Sequence, residues 1–268
     1  MKRIIFLSDL HIGLSKKEIK FAGRIVKKIA DTYPGSPVII AGDLTDSAKR
    51  DQFISARTLL NKLAQTNPIL TVPGNHDYAW KGNVWQSDAW RHWMKYLGTP
   101  LGWPKQNIMW TGVTNEPIGV DGLGVWQDGE CVYFGIDSGD PGDKQHTARG
   151  YISKGLAYAL MKSLKKYKGK TRIAILHHHP FTAGIGALFT GLHGSSRLMK
   201  ALENNCELLL FGHKHEYGIW WNSRKVPLIV SSHKSTKTFS GDCLTITIIE
   251  IDKPGTPNVS FNHHLVVL

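Results

Sequence analysis

Five separated stretches of the chain carry residue types that hold divalent metal ions: Asp9-Leu10-His11, Gly42-Asp43, Gly74-Asn75-His76-Asp77, His177-His178-His179-Pro180 and Gly212-His213-Lys214-His215. Carboxylates are hard oxygen ligands, an asparagine side chain offers a neutral carbonyl oxygen, and imidazole offers nitrogen. That mixture, without thiolate, suits Mn, Fe, Zn, Co or Ni rather than Ca, or Mg alone. Asp43 has two carboxylate oxygens and can bridge two ions. In Asp9-Leu10-His11 and His213-Lys214-His215 the i, i+2 spacing puts both side chains on one face of an extended backbone. Taken singly, such a residue also fits a helix cap or a hydrogen-bonded core histidine. All five together point to a two-metal site.

Each stretch follows a short apolar run. Residues 4–7, 38–41, 69–72, 171–176 and 207–211 read as buried strands, and 16–32, 53–64, 153–166 and 195–204 as amphipathic helices. This rhythm predicts an α/β fold with parallel strands and crossover helices, in which scattered residues converge at the carboxyl ends of the strands. Residues 219–221, 228–231, 244–251 and 259–268 read as antiparallel strands. No repeat, low-complexity tract or linker interrupts the pattern. Residues 1–268 are expected to form one domain with two sheets and a Trp-rich insertion over 78–110, where six of the nine tryptophans fall. These are Trp80, Trp85, Trp90, Trp93, Trp103 and Trp110, with a helix expected over 86–97. Further expectations are short strand-like runs over 107–137, a polar loop over 138–150 and a long Gly-rich loop over 181–194.

The order D-x-H, GD, GNHD, strand-end His before Pro, and GHxH resembles the calcineurin-like metallophosphoesterase superfamily, across Asp9 to His215. The resemblance implies a four-layer α/β/β/α sandwich of two mixed sheets flanked by helices, with a dinuclear metal site at the C-terminal ends of the strands. It implies that Asp9, His11, Asp43 and His215 hold one divalent ion, and that Asp43, Asn75, His178 and His213 hold the other. The family's H-x-P pattern selects His178, leaving His177 and His179 as second choices. Two divalent ions outweigh two carboxylates and a bridging hydroxide, so a phosphate anion is attracted and the hydroxide can attack it in line. His76 is the family's candidate catalytic residue, stabilising the transition state or protonating the leaving oxygen, with Asp46 or Asp77 to orient it. Within the superfamily the chain looks most similar to the bacterial cyclic-nucleotide and glycerophosphodiester phosphodiesterase group. The GDLTD and GNHD segments and the Gly135-Ile136-Asp137-Ser138 strand end carry that likeness. It implies a small phosphodiester substrate.

The net charge of +12 favours anionic partners, although Lys and Arg are spread along the chain as on solvated helix surfaces. Nucleic acid is therefore an alternative substrate, with tryptophans to stack on bases. A lipid-headgroup pyrophosphatase would need an apolar channel or membrane face. A non-catalytic scaffold is disfavoured because no motif position is missing. Cys131, Cys206 and Cys243 form no disulfide or zinc-ribbon pattern, which fits a reducing, cytoplasmic setting. The apolar run at 4–7 is too short for a secretory signal, and no transmembrane segment is expected. His92, His146, His193, His233, His263 and His264 fall outside the motifs, as do Asp137 and Asp140.

Overall fold

The computed structural model describes residues 1–80, 82, 84–98, 109–111, 122–139, 148–238 and 244–268. Trp103, Asp140, His146 and Cys243 lie outside the described residues, as does the centre of the polar loop, 140–147. The strands form two large mixed sheets. In one, the order is Ser260–Val267, Thr245–Asp252, Lys2–Leu7, Val38–Ala41, Ile69–Val72. In the other it is Gly218–Ser223, Val226–Ser231, Leu208–Phe211, Thr171–Ile175, Cys131–Ile136, Leu123–Asp128, Met109–Thr111. The motif-bearing strands pair in parallel: Lys2–Leu7 with Val38–Ala41, Val38–Ala41 with Ile69–Val72, and Thr171–Ile175 with Leu208–Phe211. Their carboxyl ends therefore lie side by side.

Continuous apolar runs follow from burial on both faces. Ile4 and Phe6 point into the core between the sheets, with Ile39, Ala41, Leu70, Val72, Tyr133, Ile173, Ile175, Leu208 and Leu210. Ile5 and Leu7 point the other way, against Phe21, Ile25 and Ile29 of helix Lys16–Thr32 and Phe53, Ala56 and Leu60 of helix Arg50–Leu63. On the outer face of the second sheet, Val132, Phe134, Ala174 and Leu209 pack against Leu160 and Leu164 of Lys154–Lys166 and Leu198 and Leu202 of Ser195–Leu202. Helix, sheet, sheet and helix form the four expected layers.

Three local expectations change. The helix expected over 86–97 is a short one, Ala89–Trp93, continued by a wide turn, Met94–Gly98, with Trp93 buried in the core. The loop over 181–194 contains a one-turn helix, Ala187–Thr190, and a two-residue strand, Leu192–His193, paired with Gly150–Tyr151. The extended backbone expected at Asp9-Leu10-His11 and His213-Lys214-His215 is not found. Asp9, His11, Asp43, His213 and His215 have φ of 56°, 46°, 51°, 78° and 56°, in the left-handed region. Asp is among the residues that enter that region most readily, but strain there still has to be held by the surroundings. The chain turns sharply as each strand ends, and this turn, not strand alternation, aims the pairs inward.

Candidate metal centre

Glycines create the room in which the strand ends meet. Gly42 has φ of +82°, and a Cβ there would lie 2.5 Å from Nδ1 of His177. A Cβ at Gly74 would overlap Oδ1 of Asp43. In both places any larger residue would push a site side chain aside.

One group of atoms is Oδ1 of Asp9, Nε2 of His11 and Nε2 of His215. His215 lies 3.3 Å from Asp9 and 3.2 Å from His11, and His11 Nε2 is 3.8 Å from Oδ2 of Asp43. Oδ1 of Asp9 is buried and has no hydrogen-bond partner. The second group shares that Oδ2. Nε2 of His177 lies 3.3 Å from it, 3.1 Å from Oδ1 of Asn75 and 3.2 Å from Nδ1 of His213, which is 3.0 Å from the same Asn75 oxygen. Nδ1–H of His177 donates to the Ala41 carbonyl at 2.7 Å, and Nε2–H of His213 donates to the Thr190 carbonyl at 3.0 Å. Each outer bond fixes a tautomer whose lone pair faces inward. With His177 neutral, its lone pair and that of His213 converge on the Asp43 carboxylate and the Asn75 oxygen, and both groups of atoms fit a divalent cation.

The sequence reading chose His178 for the second group, and the geometry places His177 there. His178 turns its Nδ1 to Ser138 Oγ at 2.8 Å, its ring lies against Gly150, and its Nε2 is buried without a partner. His179 packs on Phe211, with ring centroids 4.7 Å apart, and its Nδ1 accepts the Phe181 N–H. The H-x-P pattern alone could not reveal this, because consecutive residues at a strand end point in different directions.

His76 flanks the first group, its ring centroid 4.5 Å from that of His11. Its backbone N–H donates to Oδ1 of Asp43 at 2.9 Å, and its Nδ1–H donates to the Asp46 carbonyl at 2.6 Å. Asp46 thus orients His76 through its backbone, while its carboxylate faces Nδ1 of His11 at 3.7 Å. Asp77 has a different task. Its buried carboxylate accepts the N–H groups of Gly74, Leu44 and Thr45 and the Thr45 hydroxyl, so it locks the GD loop to the GNHD loop.

The charges are strongly coupled. Burial opposes ionisation of Asp43 and Asp9, yet the histidines around them hold both below the usual carboxylate range. Burial disfavours the charged His177, but Asp43 and Asp9 outweigh it and hold the ring up at about 9. Burial and the neighbouring His177 push His213 down to about 3, and burial lowers His11. Burial and the Asp43 carboxylate raise Asp77 to about 6, against the bonds it accepts.

Beyond the motifs, Tyr78 follows GNHD, and its hydroxyl donates to Asp137 at 2.6 Å. The Tyr78 ring carries Trp85 and Trp90, at 4.9 Å and 5.9 Å between centroids, so part of the tryptophan-rich stretch is fastened beside the site. A Cβ at Gly82, in the same stretch, would lie 2.6 Å from Nε2 of His76.

Residues 2–217 match the family model described as calcineurin-like phosphoesterase, and the chain belongs to that family. The family uses two divalent metal ions. A comparison with curated proteins gives no match. Among solved structures, the chain is similar to a dimetal phosphatase from Danio rerio, with a TM-score of 0.69 and 11% identity, covering 97% of this chain and 98% of that one. It is similar to a putative 5'-nucleotidase from Staphylococcus aureus, with a TM-score of 0.56 and 14% identity over 98% of this chain and 53% of that one. It is also similar to GAP50, the anchor in the inner membrane complex of Plasmodium, with a TM-score of 0.56 and 14% identity over 98% of this chain and 87% of that one. At such identities these likenesses speak for the fold alone.

Proposed function

We propose that this calcineurin-like phosphoesterase hydrolyses a small phosphodiester, of the cyclic-nucleotide or glycerophosphodiester type. The observation that carries the hydrolytic reading is the position of Asp43, whose Oδ2 faces His11 on one side and His177 on the other. One ion would be held by Asp9, His11, Asp43 and His215, and the other by Asp43, Asn75, His177 and His213. When bound, two divalent ions supply positive charge for the phosphate and lower the pKa of water for in-line attack. The chain's own residues do the rest. The bond from Nδ1 to the Asp46 carbonyl leaves Nε2 of His76 as the atom from which a proton would pass to the leaving oxygen. The backbone N–H of His76 donates to Asp43, which ties the residue that would pass the proton to the carboxylate that both ions would share.

The choice of a diester rests on the likeness of the GDLTD, GNHD and GIDS segments to the phosphodiesterase group. Protein reconstituted with Mn, Co, Ni or Zn should cleave bis(p-nitrophenyl) phosphate faster than p-nitrophenyl phosphate, and should act on cyclic nucleotides in preference to single-stranded DNA. Faster cleavage of the monoester would replace the diesterase reading with a phosphatase one. Preference for DNA would favour the nuclease alternative. Asp43→Asn should lower kcat/KM by more than the roughly 10–100-fold typical of losing an outer partner of a metal ligand. Unchanged turnover in that variant would remove Asp43 from the centre.

A further inference from the structure

The segment that carries Thr190 presents a hydrophobic surface the hydrolytic site does not use. Ile185, Leu188 and Phe189 are 79%, 64% and 58% exposed. Thr190, at the end of helix Ala187–Thr190, turns its carbonyl to His213 and its hydroxyl to Lys214. Three large apolar groups within five residues form a patch that gains by being covered. A cationic group adjoins it: Lys214 is bonded to Thr190, the residue after Phe189. The chain as a whole carries a net charge of +12.

We propose that Ile185, Leu188 and Phe189 dock the protein on an anionic lipid surface, placing the metal-centre face against the bilayer. Apolar side chains enter the headgroup boundary while Lys214 and the overall positive charge are attracted to anionic lipid. No described helix is long and apolar enough to cross a membrane, so the contact is made from one side. The inference does not depend on which ester is hydrolysed, and its readout is binding, so its failure is separable from failure of the hydrolytic reading.

The test is co-sedimentation of the full chain with vesicles of phosphatidylcholine alone or mixed with phosphatidylglycerol, for wild type and for the double variant Leu188→Ser/Phe189→Ser. Wild type should bind the mixed vesicles, bind pure phosphatidylcholine weakly, and lose binding as salt rises. The double variant should bind the mixed vesicles at least about tenfold more weakly. Its turnover of bis(p-nitrophenyl) phosphate in solution should be unchanged, because both side chains lie on the surface. Absence of wild-type binding, or equal binding by the variant, overturns the proposal. Sedimentation velocity provides the other arm: self-association abolished by the same substitutions would assign the patch to a second copy of the chain instead.

Discussion

Nε2 of His177 lies 3.3 Å from Oδ2 of Asp43 while the other nitrogen of the ring is tied to the Ala41 carbonyl. The two residues follow strands of different sheets, and their meeting joins the halves of the fold at the candidate metal centre. Without metal, the pair is held by a proton, since the carboxylates keep His177 at about 9. A divalent ion has to replace that proton.

Metal uptake should therefore release a proton from His177 at neutral pH. The sign follows from the shift. A histidine raised to about 9 is charged below that value, and its proton is lost as pH rises through it. The lowered pKa values of Asp9, Asp43, His11 and His213 leave those groups ready for a metal at neutral pH. Calorimetric titration with Mn or Zn in buffers of different ionisation enthalpy should show about one proton fewer released near pH 9.5 than near pH 7. Identical release at the two pH values would remove His177 from the metal-binding set.

His177→Ala and His178→Ala should behave differently. The first should lower bound metal from two ions toward one and suppress turnover. The second should keep both ions, with a loss of stability of about 1–3 kcal/mol from the broken Ser138 contact and the space left behind. Metal analysis and thermal unfolding on the same samples separate the two effects. Loss of metal in His178→Ala alone would return the ligand role to the residue picked by the H-x-P pattern.

His76→Ala should lower kcat by about 10²–10⁴ with metal content unchanged, and the loss should depend on the leaving group. An alkoxide needs a proton, whereas p-nitrophenolate leaves unaided. The variant should therefore be far more impaired on a cyclic nucleotide than on bis(p-nitrophenyl) phosphate. Equal losses on both would assign the His76 ring to stabilising the transition state rather than to proton transfer, because the variant keeps the backbone N–H that bonds Asp43.

Asp77→Asn should destabilise the protein by about 1–3 kcal/mol, read by denaturant unfolding. One carboxylate oxygen becomes an NH2 group, and at least one of the N–H groups of Gly74, Leu44 and Thr45 is left facing a donor. Metal affinity should fall as well, because the GD and GNHD loops lose their link. A variant of unaltered stability would show that other contacts hold those loops.

Much of this protein is readable from its sequence alone. Short apolar runs separated by amphipathic helices specify the layers, because a strand buried on both faces must be apolar at every position, as at Ile4 to Leu7. Aspartate, asparagine and histidine at the ends of those runs mark a metal site, because parallel strands bring their carboxyl ends together. Asp43 stands out as the candidate for a shared ligand from its chemistry and place.

The tertiary structure decides where each side chain points. His177, His178 and His179 are the same residue type in a row, and only the surrounding packing separates them. Ala41 and the gap beside Gly42 receive the first, Ser138 and Gly150 the second, and Phe211 with Phe181 the third. The left-handed turns at Asp9, His11, His213 and His215 are likewise invisible in residue spacing. So is the bond from Thr190 to His213, which spans 23 positions in the chain. Such contacts depend on which strand ends lie side by side. Local sequence encodes the strands, but their neighbours are set by how two sheets pack face to face.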